Sequence, residues 1–121
     1  MRVVAKIGTS SITTESGSVD RDAIVALCAD VARLRGGGHD VVVVSSGAVA
    51  AGVPAVGLAS RPSDMETLQA VSAVGQARLM QVYNEVLEGH GLVGAQVLLD
   101  PHDFVDRTQY LHARQTLGRL L

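Results

Sequence analysis

Aromatic side chains are scarce in this sequence, which has no tryptophan, two tyrosines and one phenylalanine among 121 residues. Proteins that bind single-stranded nucleic acid stack bases on aromatic side chains and carry a basic surface that contacts phosphates. Here the formal net charge at pH 7 is −2, so the chain has neither feature. The composition therefore predicts no nucleic-acid partner.

Cysteine is nearly lacking as well: Cys28 is the only one, so no internal disulfide can form. A reduced chain without a recognisable signal-peptide pattern is typical of the cytoplasm. Long apolar runs are missing, which argues against contact with a membrane. The four histidines lie far apart, without metal-ligand spacing. We therefore expect a cytoplasmic protein with no membrane partner and no metal ligands of its own.

What the chain does contain is typical of one globular domain, with 47% hydrophobic and 18% charged residues. Apolar runs predict β-strands over residues 2–8, 40–45 and 93–99, and apolar residues three or four apart predict helices between them. Strands that alternate with helices in this way predict an α/β fold. We expect the three-layer α/β/α kind, with a mostly parallel sheet.

Local signals mark the helix boundaries. Asp20 is the predicted N-cap of the first helix, and Gly36-Gly37-Gly38 ends it. Ser63-Asp64-Met65-Glu66 has the spacing of a capping box and predicts the start of a long helix that ends near Gly89. Gly75 lies in the middle of this helix, where glycine lowers helix stability. We therefore expect a close packing contact at Gly75.

The first two strands both end in small polar residues. Val41–Val44 continues directly into Ser45-Ser46-Gly47-Ala48, and a helix pattern follows. Ligands of parallel sheets bind beyond the carboxyl ends of the strands, where a helix N-terminus offers free N–H groups to an anion. Lys6-Ile7-Gly8-Thr9-Ser10 adds a cation and hydroxyls at the end of the first strand. These turns predict an anion site, while an ordinary strand–helix turn with a snorkelling lysine remains the alternative.

Taken together, the two segments resemble the amino-acid kinase family. Further blocks extend the resemblance over nearly the whole chain: Ala73–Met80, Ala95–Leu99, Asp103–Arg107 and Tyr110–Arg114. The Val-Gly-Gln-x-Arg-Leu pattern in the first block is similar to the branch of the family whose phosphoryl acceptor is L-glutamate. The resemblance implies ATP-dependent phosphorylation of the γ-carboxylate of L-glutamate, the first step of proline synthesis, with Mg²⁺ accompanying ATP.

The resemblance also implies roles for individual residues. Lys6 is the implied catalytic residue, in contact with the transferring phosphate. The residues implied to line the nucleotide phosphates follow it closely: Gly8, Thr9 and Ser10. Those implied to hold glutamate at a helix N-terminus are Ser46, Gly47 and Ala48.

By the same resemblance, residues 1–121 correspond to the amino-terminal part of a kinase domain. In the family an aspartate, an asparagine and a second lysine follow this part, so we expect the 121 residues to be inactive on their own. L-Proline is the implied feedback inhibitor, and a homo-oligomer is the implied assembly. The chain departs from the family at Asp100-Pro101, where Thr-Arg is usual, and at His112, where Asn is usual.

Two other readings stay open on the sequence alone. One is a different member of the same family, of the carbamate or uridylate kinase type, which the residues of the adenine pocket would distinguish. The other is a non-catalytic α/β ligand-binding module, which ATP-dependent turnover would exclude.

Overall fold

A computed structural model describes all residues, Met1–Leu121, and contains a two-stranded parallel sheet. Strand β1 spans Arg2–Ile7, and strand β2 spans Asp40–Ser45. They pair in register along their full lengths. Parallel strands need a crossover connection, and helix α1 (Arg21–Gly36) provides it.

The rest of the regular structure is helical. A short 3₁₀ turn (Thr9–Ser11) follows β1, and four helices follow β2: α2 (Ala48–Ala55), α3 (Met65–Gly89), α4 (His102–Val105) and α5 (Arg107–Leu120). None of these helices combines the length and the apolar content that crossing a lipid bilayer requires.

Aspartates begin the three longest helices. The side chains of Asp20, Asp64 and Asp106 each accept a hydrogen bond from the backbone N–H three residues further on. Asp20 is thus confirmed as the cap of α1. The predicted capping box is wrong by one residue. The N-cap of α3 is Asp64 and not Ser63, and the Asp64 carboxylate accepts from the Thr67 N–H. Hydrogen bonds from Thr67 also lower the pKa of the Asp64 carboxyl.

The hydrophobic core is small. Only 10 of the 121 residues are buried, so the fold depends on few side chains. Six of the buried side chains form one cluster: Ile12, Ile24, Cys28, Ala51, Leu79 and Tyr83. Burial raises the pKa of the Cys28 thiol, which therefore stays neutral and serves as packing.

The helices cover one face of the sheet. Ile7 packs against the core cluster, and alternate residues of a strand point to the same face. Val4 and Val44 point to the other face and are 63% and 48% exposed. The α/β class with a parallel sheet is confirmed. The second helix layer of a three-layer arrangement does not occur within these residues.

The predicted third strand, residues 93–99, does not form. The segment has no strand assignment and makes no backbone hydrogen bonds. Gly94 lies against Asn84 and Leu87 of α3, and the Val93 side chain is 96% exposed. Apolar β-formers favour a strand only where a sheet edge is available to pair with them. Here the segment pairs with neither β1 nor β2, and Gly94 lies beside the end of α3.

Helices α2 and α3 approach so closely that their backbones touch. A Cβ on Gly75 would meet the carbonyl oxygen of Ala48, and one on Gly52 would meet the carbonyl oxygen of Val71. The predicted close contact at Gly75 is therefore confirmed, and its partner is α2. Any side chain at either glycine would force the two helices apart.

We expect Gly75→Ala to destabilise the fold by about 3 kcal/mol or more, the upper end for overpacking, because the new methyl group meets backbone atoms that cannot move aside. Gly118→Ala is the matched control, since a Cβ there meets nothing within 4 Å. The control should be neutral or slightly stabilising. Urea unfolding followed by circular dichroism measures both variants, and equal midpoints would contradict the close contact.

Candidate anion site at the ends of the strands

The two turns predicted to bind an anion meet in the structure. The side-chain oxygens of Thr9 and Ser46 lie 2.7 Å apart and form a hydrogen bond. The Ser46 N–H donates to the Ile7 carbonyl oxygen at 3.1 Å, so strand-like pairing continues one residue past β2. Both hydroxyl side chains are exposed. The hydroxyls of two distant sequence segments thus converge at the carboxyl edge of the sheet.

The turn after β1 is closed by its own backbone. The Ser11 N–H donates to the Gly8 carbonyl oxygen at 3.1 Å, and the Thr13 hydroxyl donates to the Thr9 carbonyl oxygen at 2.9 Å. A Cβ on Gly8 would meet nothing within 4 Å, so a ligand can approach the backbone there. The Ser10 side chain is exposed and has no hydrogen-bond partner within the protein.

The turn after β2 forms the N-terminus of α2. Gly47 is its N-cap, with a φ of 109° in the left-handed region. A Cβ on Gly47 would also lie 2.9 Å from the Ile12 Cδ1 atom. No side chain caps α2, in contrast to the aspartate-capped helices. The N–H groups of its first turn, beginning at Ala48, therefore remain available to an anion, and the helix dipole favours one.

Lys6 is the only lysine of the chain and lies near the end of β1. It is paired in the register with Val44, two residues before Ser46. Its side chain is exposed, and it takes part in none of the ion pairs of the structure. Lys6 thus supplies an uncompensated positive charge near the same edge of the sheet as the two hydroxyls.

Sequence patterns alone do not single out Tyr83, which connects the core to this site. Its hydroxyl lies 2.8 Å from the Ser45 Oγ, and Ser45 donates to the Ser46 carbonyl oxygen at 3.0 Å. Burial raises the pKa of Tyr83. One feature of the sequence could have identified Tyr83 as a buried residue, because it follows Leu79 by four residues on α3. A buried tyrosine needs a hydrogen-bond partner.

A separate groove of about 400 Å³ lies between α2 and α3. Its lining residues include none of those predicted to form the anion site: Ser18, Val19, Ala51, Pro54, Ala55, Arg78, Leu79 and Val82. Nowhere in the chain do three or more His, Cys, Asp or Glu side chains lie together in a way that could hold a metal ion. The anion site therefore consists of hydroxyls, backbone N–H groups and one lysine.

A parallel sheet with an uncapped helix and hydroxyls at its carboxyl edge defines an α/β protein suited to anionic ligands. The model of the family described as "Amino acid kinase family" matches residues 1–121, the whole chain. The chain belongs to the amino acid kinase family.

The curated relatives of the chain have a more specific name than the family. The glutamate 5-kinase of Cupriavidus metallidurans (strain CH34) is 48% identical over 120 residues. Those of Burkholderia mallei (strain SAVP1) and Burkholderia pseudomallei (strain K96243) are each 47% identical over 120 residues. Each match covers 99% of this chain but 32% of the relative, so the chain spans about a third of the length of these relatives.

We expect Gly47→Ala to destabilise the protein more than Gly57→Ala, by about 1–3 kcal/mol. Both glycines have a positive φ, 109° and 74°, so both variants strain the backbone. Only at Gly47 does the new methyl group also collide with Ile12. Thermal unfolding measures the difference, and equal destabilisation would contradict the tight packing of the turn against the core.

Proposed function

We propose that residues 1–121 form the phosphate- and glutamate-binding part of a glutamate 5-kinase. The reaction transfers the γ-phosphoryl group of ATP to a γ-carboxylate oxygen of L-glutamate and releases ADP. The observation that carries the proposal is the 2.7 Å hydrogen bond between Thr9 and Ser46, which places the loop after β1 beside the N-terminus of α2. The shared name of the relatives supports glutamate as the acceptor.

The site meets the main electrostatic demand of this reaction. Both substrates are anions, so their mutual repulsion must be offset before they can react. Lys6 is free to do this, since no carboxylate of the protein pairs with it. The uncapped N-terminus of α2 adds N–H donors and the positive end of the helix dipole.

Each of the two turns binds one of the two substrates. The turn of Gly8, Thr9 and Ser10 binds nucleotide phosphates, because the backbone is open at Gly8 and two hydroxyls follow it. The turn of Ser46, Gly47 and Ala48 binds glutamate through the Ser46 hydroxyl and the N–H groups of α2. Lys6 lies near this edge, where it contacts the phosphoryl group in transfer.

ATP and Mg²⁺ belong to the proposal, and the residues of the chain fit them differently. The open backbone at Gly8 and the free lysine fit phosphate oxygens. No cluster of carboxylates fits Mg²⁺. We therefore place Mg²⁺ on the phosphates of ATP, where it supplies charge neutralisation.

The wider features implied by the family are also proposals for the whole protein. They are a cytoplasmic location, assembly into a homo-oligomer and feedback inhibition by L-proline. A family member of the carbamate or uridylate kinase type is the alternative, and it predicts turnover with a different phosphoryl acceptor.

Lys6→Ala should lower kcat about a thousandfold or more with the fold intact, because the transferring phosphoryl group loses its cation. The assay uses a chimera in which residues 1–121 replace the matching segment of the Cupriavidus metallidurans enzyme, with ATP, Mg²⁺, glutamate and hydroxylamine. Arg33→Ala, an exposed cation on α1, should remain near full activity. Residues 1–121 alone should form no hydroxamate. Near-full activity of Lys6→Ala would contradict the catalytic role assigned to Lys6.

Ser46→Ala in the same chimera should raise the KM for glutamate about tenfold or more, because one hydrogen bond to an ionised ligand is lost. The KM for ATP should change little. Ser63→Ala is the control, since this exposed serine makes no hydrogen bond through its side chain. An equal rise in both KM values, or a rise for ATP alone, would contradict the assignment of Ser46 to glutamate.

A further inference from the structure

We propose that Tyr83 is a positioning residue for the glutamate-binding turn and that it acts through Ser45. The inference rests on the function proposed for that turn and assigns it a support in α3. Tyr83 does not contact the substrate in this proposal. It sets the orientation of the backbone that does.

The two hydrogen bonds of the Ser45 hydroxyl fit one donor direction. A serine hydroxyl has a single proton. Ser45 donates that proton to the Ser46 carbonyl oxygen at 3.0 Å. Either hydroxyl could donate in the 2.8 Å contact between Ser45 and Tyr83. We infer that Tyr83 donates to the Ser45 Oγ, because the Ser45 proton is used in the bond to the Ser46 carbonyl oxygen. The tyrosine proton thus holds Ser45 in the orientation that binds the Ser46 carbonyl.

Holding the Ser46 carbonyl orients the Gly47 N–H, which directly precedes the donors of the first turn of α2. The peptide unit is planar, so the Ser46 carbonyl and the Gly47 N–H point in opposite directions along one rigid plane. A glycine permits several backbone conformations, so this plane needs an external restraint to keep one orientation. The hydrogen bond from Ser45 supplies it.

The restraint is firm because Tyr83 itself is fixed. Its side chain is 6% exposed and belongs to the core cluster. Leu79, one helical turn earlier on α3, lies beneath Gly47, with its Cδ2 atom 4.0 Å from the position of a Cβ there. Helix α3 therefore supports the turn at two points, through the Tyr83 hydroxyl at Ser45 and through the Leu79 methyl group at Gly47.

The test is Tyr83→Phe, which removes the hydroxyl and keeps the ring. In the complete enzyme that contains these residues, we expect the KM for glutamate to rise about three- to tenfold, as for one lost hydrogen bond. The KM for ATP and kcat should stay within about twofold. Ser45→Ala should have the same effect, and the double variant should be no worse than either single one, because both act through one contact. Tyr110→Phe, at an exposed tyrosine, is the control and should change nothing.

Amide exchange on the 121-residue chain gives a second readout that needs no activity. The Ser46 N–H is hydrogen-bonded to Ile7, so its exchange reports on the turn. Tyr83→Phe should speed this exchange at least about threefold relative to the amide of Leu79 in α3, whereas Tyr110→Phe should not.

The outcomes separate the two proposals. An unmodified enzyme that is inactive on glutamate overturns the proposed function, and the exchange measurement still decides whether Tyr83 holds the turn. An active enzyme in which Tyr83→Phe leaves the glutamate KM unchanged overturns the positioning role. So do effects of Tyr83→Phe and Ser45→Ala that simply add, or equal exchange rates in Tyr83→Phe and the unmodified chain.

Discussion

The contact between Gly52 of α2 and Gly75 of α3 determines the geometry on which the rest of the structure depends. With no side chains between them, the two helix backbones touch. This short separation lets Leu79 and Tyr83, one and two turns after Gly75, reach the turn that follows β2. A core of so few buried residues has little other packing with which to hold α3 at this distance. The shape of the candidate anion site therefore depends on this contact between helices, which includes the carbonyl group of Ala48.

Helix capping distinguishes the three longest helices from α2 at the candidate site. Asp20, Asp64 and Asp106 place a carboxylate at the N-termini of α1, α3 and α5, where it satisfies backbone donors. A carboxylate at the start of α2 would repel an anion at the candidate site. Gly47 occupies that position instead and leaves the donors free.

The two-stranded parallel sheet is covered on one face only. One face packs against α1 and the core, while Val4, Val44 and Lys6 remain on the open face. Parallel sheets in α/β proteins are normally covered on both faces. The exposed valines show that residues 1–121 bury only part of the apolar surface that their strands present. This agrees with a chain that matches about a third of the length of its relatives.

Local signals in the sequence were enough to predict several elements of the structure. The apolar runs of β1 and β2, the cap at Asp20 and the unusual Gly75 could all be read from neighbouring residues, and so could the two small polar turns. The folded structure was needed to show which of these elements contact one another. It joined Thr9 to Ser46, linked Tyr83 to Ser45 and left residues 93–99 without a partner. The physical reason is that hydrogen bonds between distant segments and the pairing of strands depend on how the helices pack. No local sequence pattern encodes the distances between packed helices.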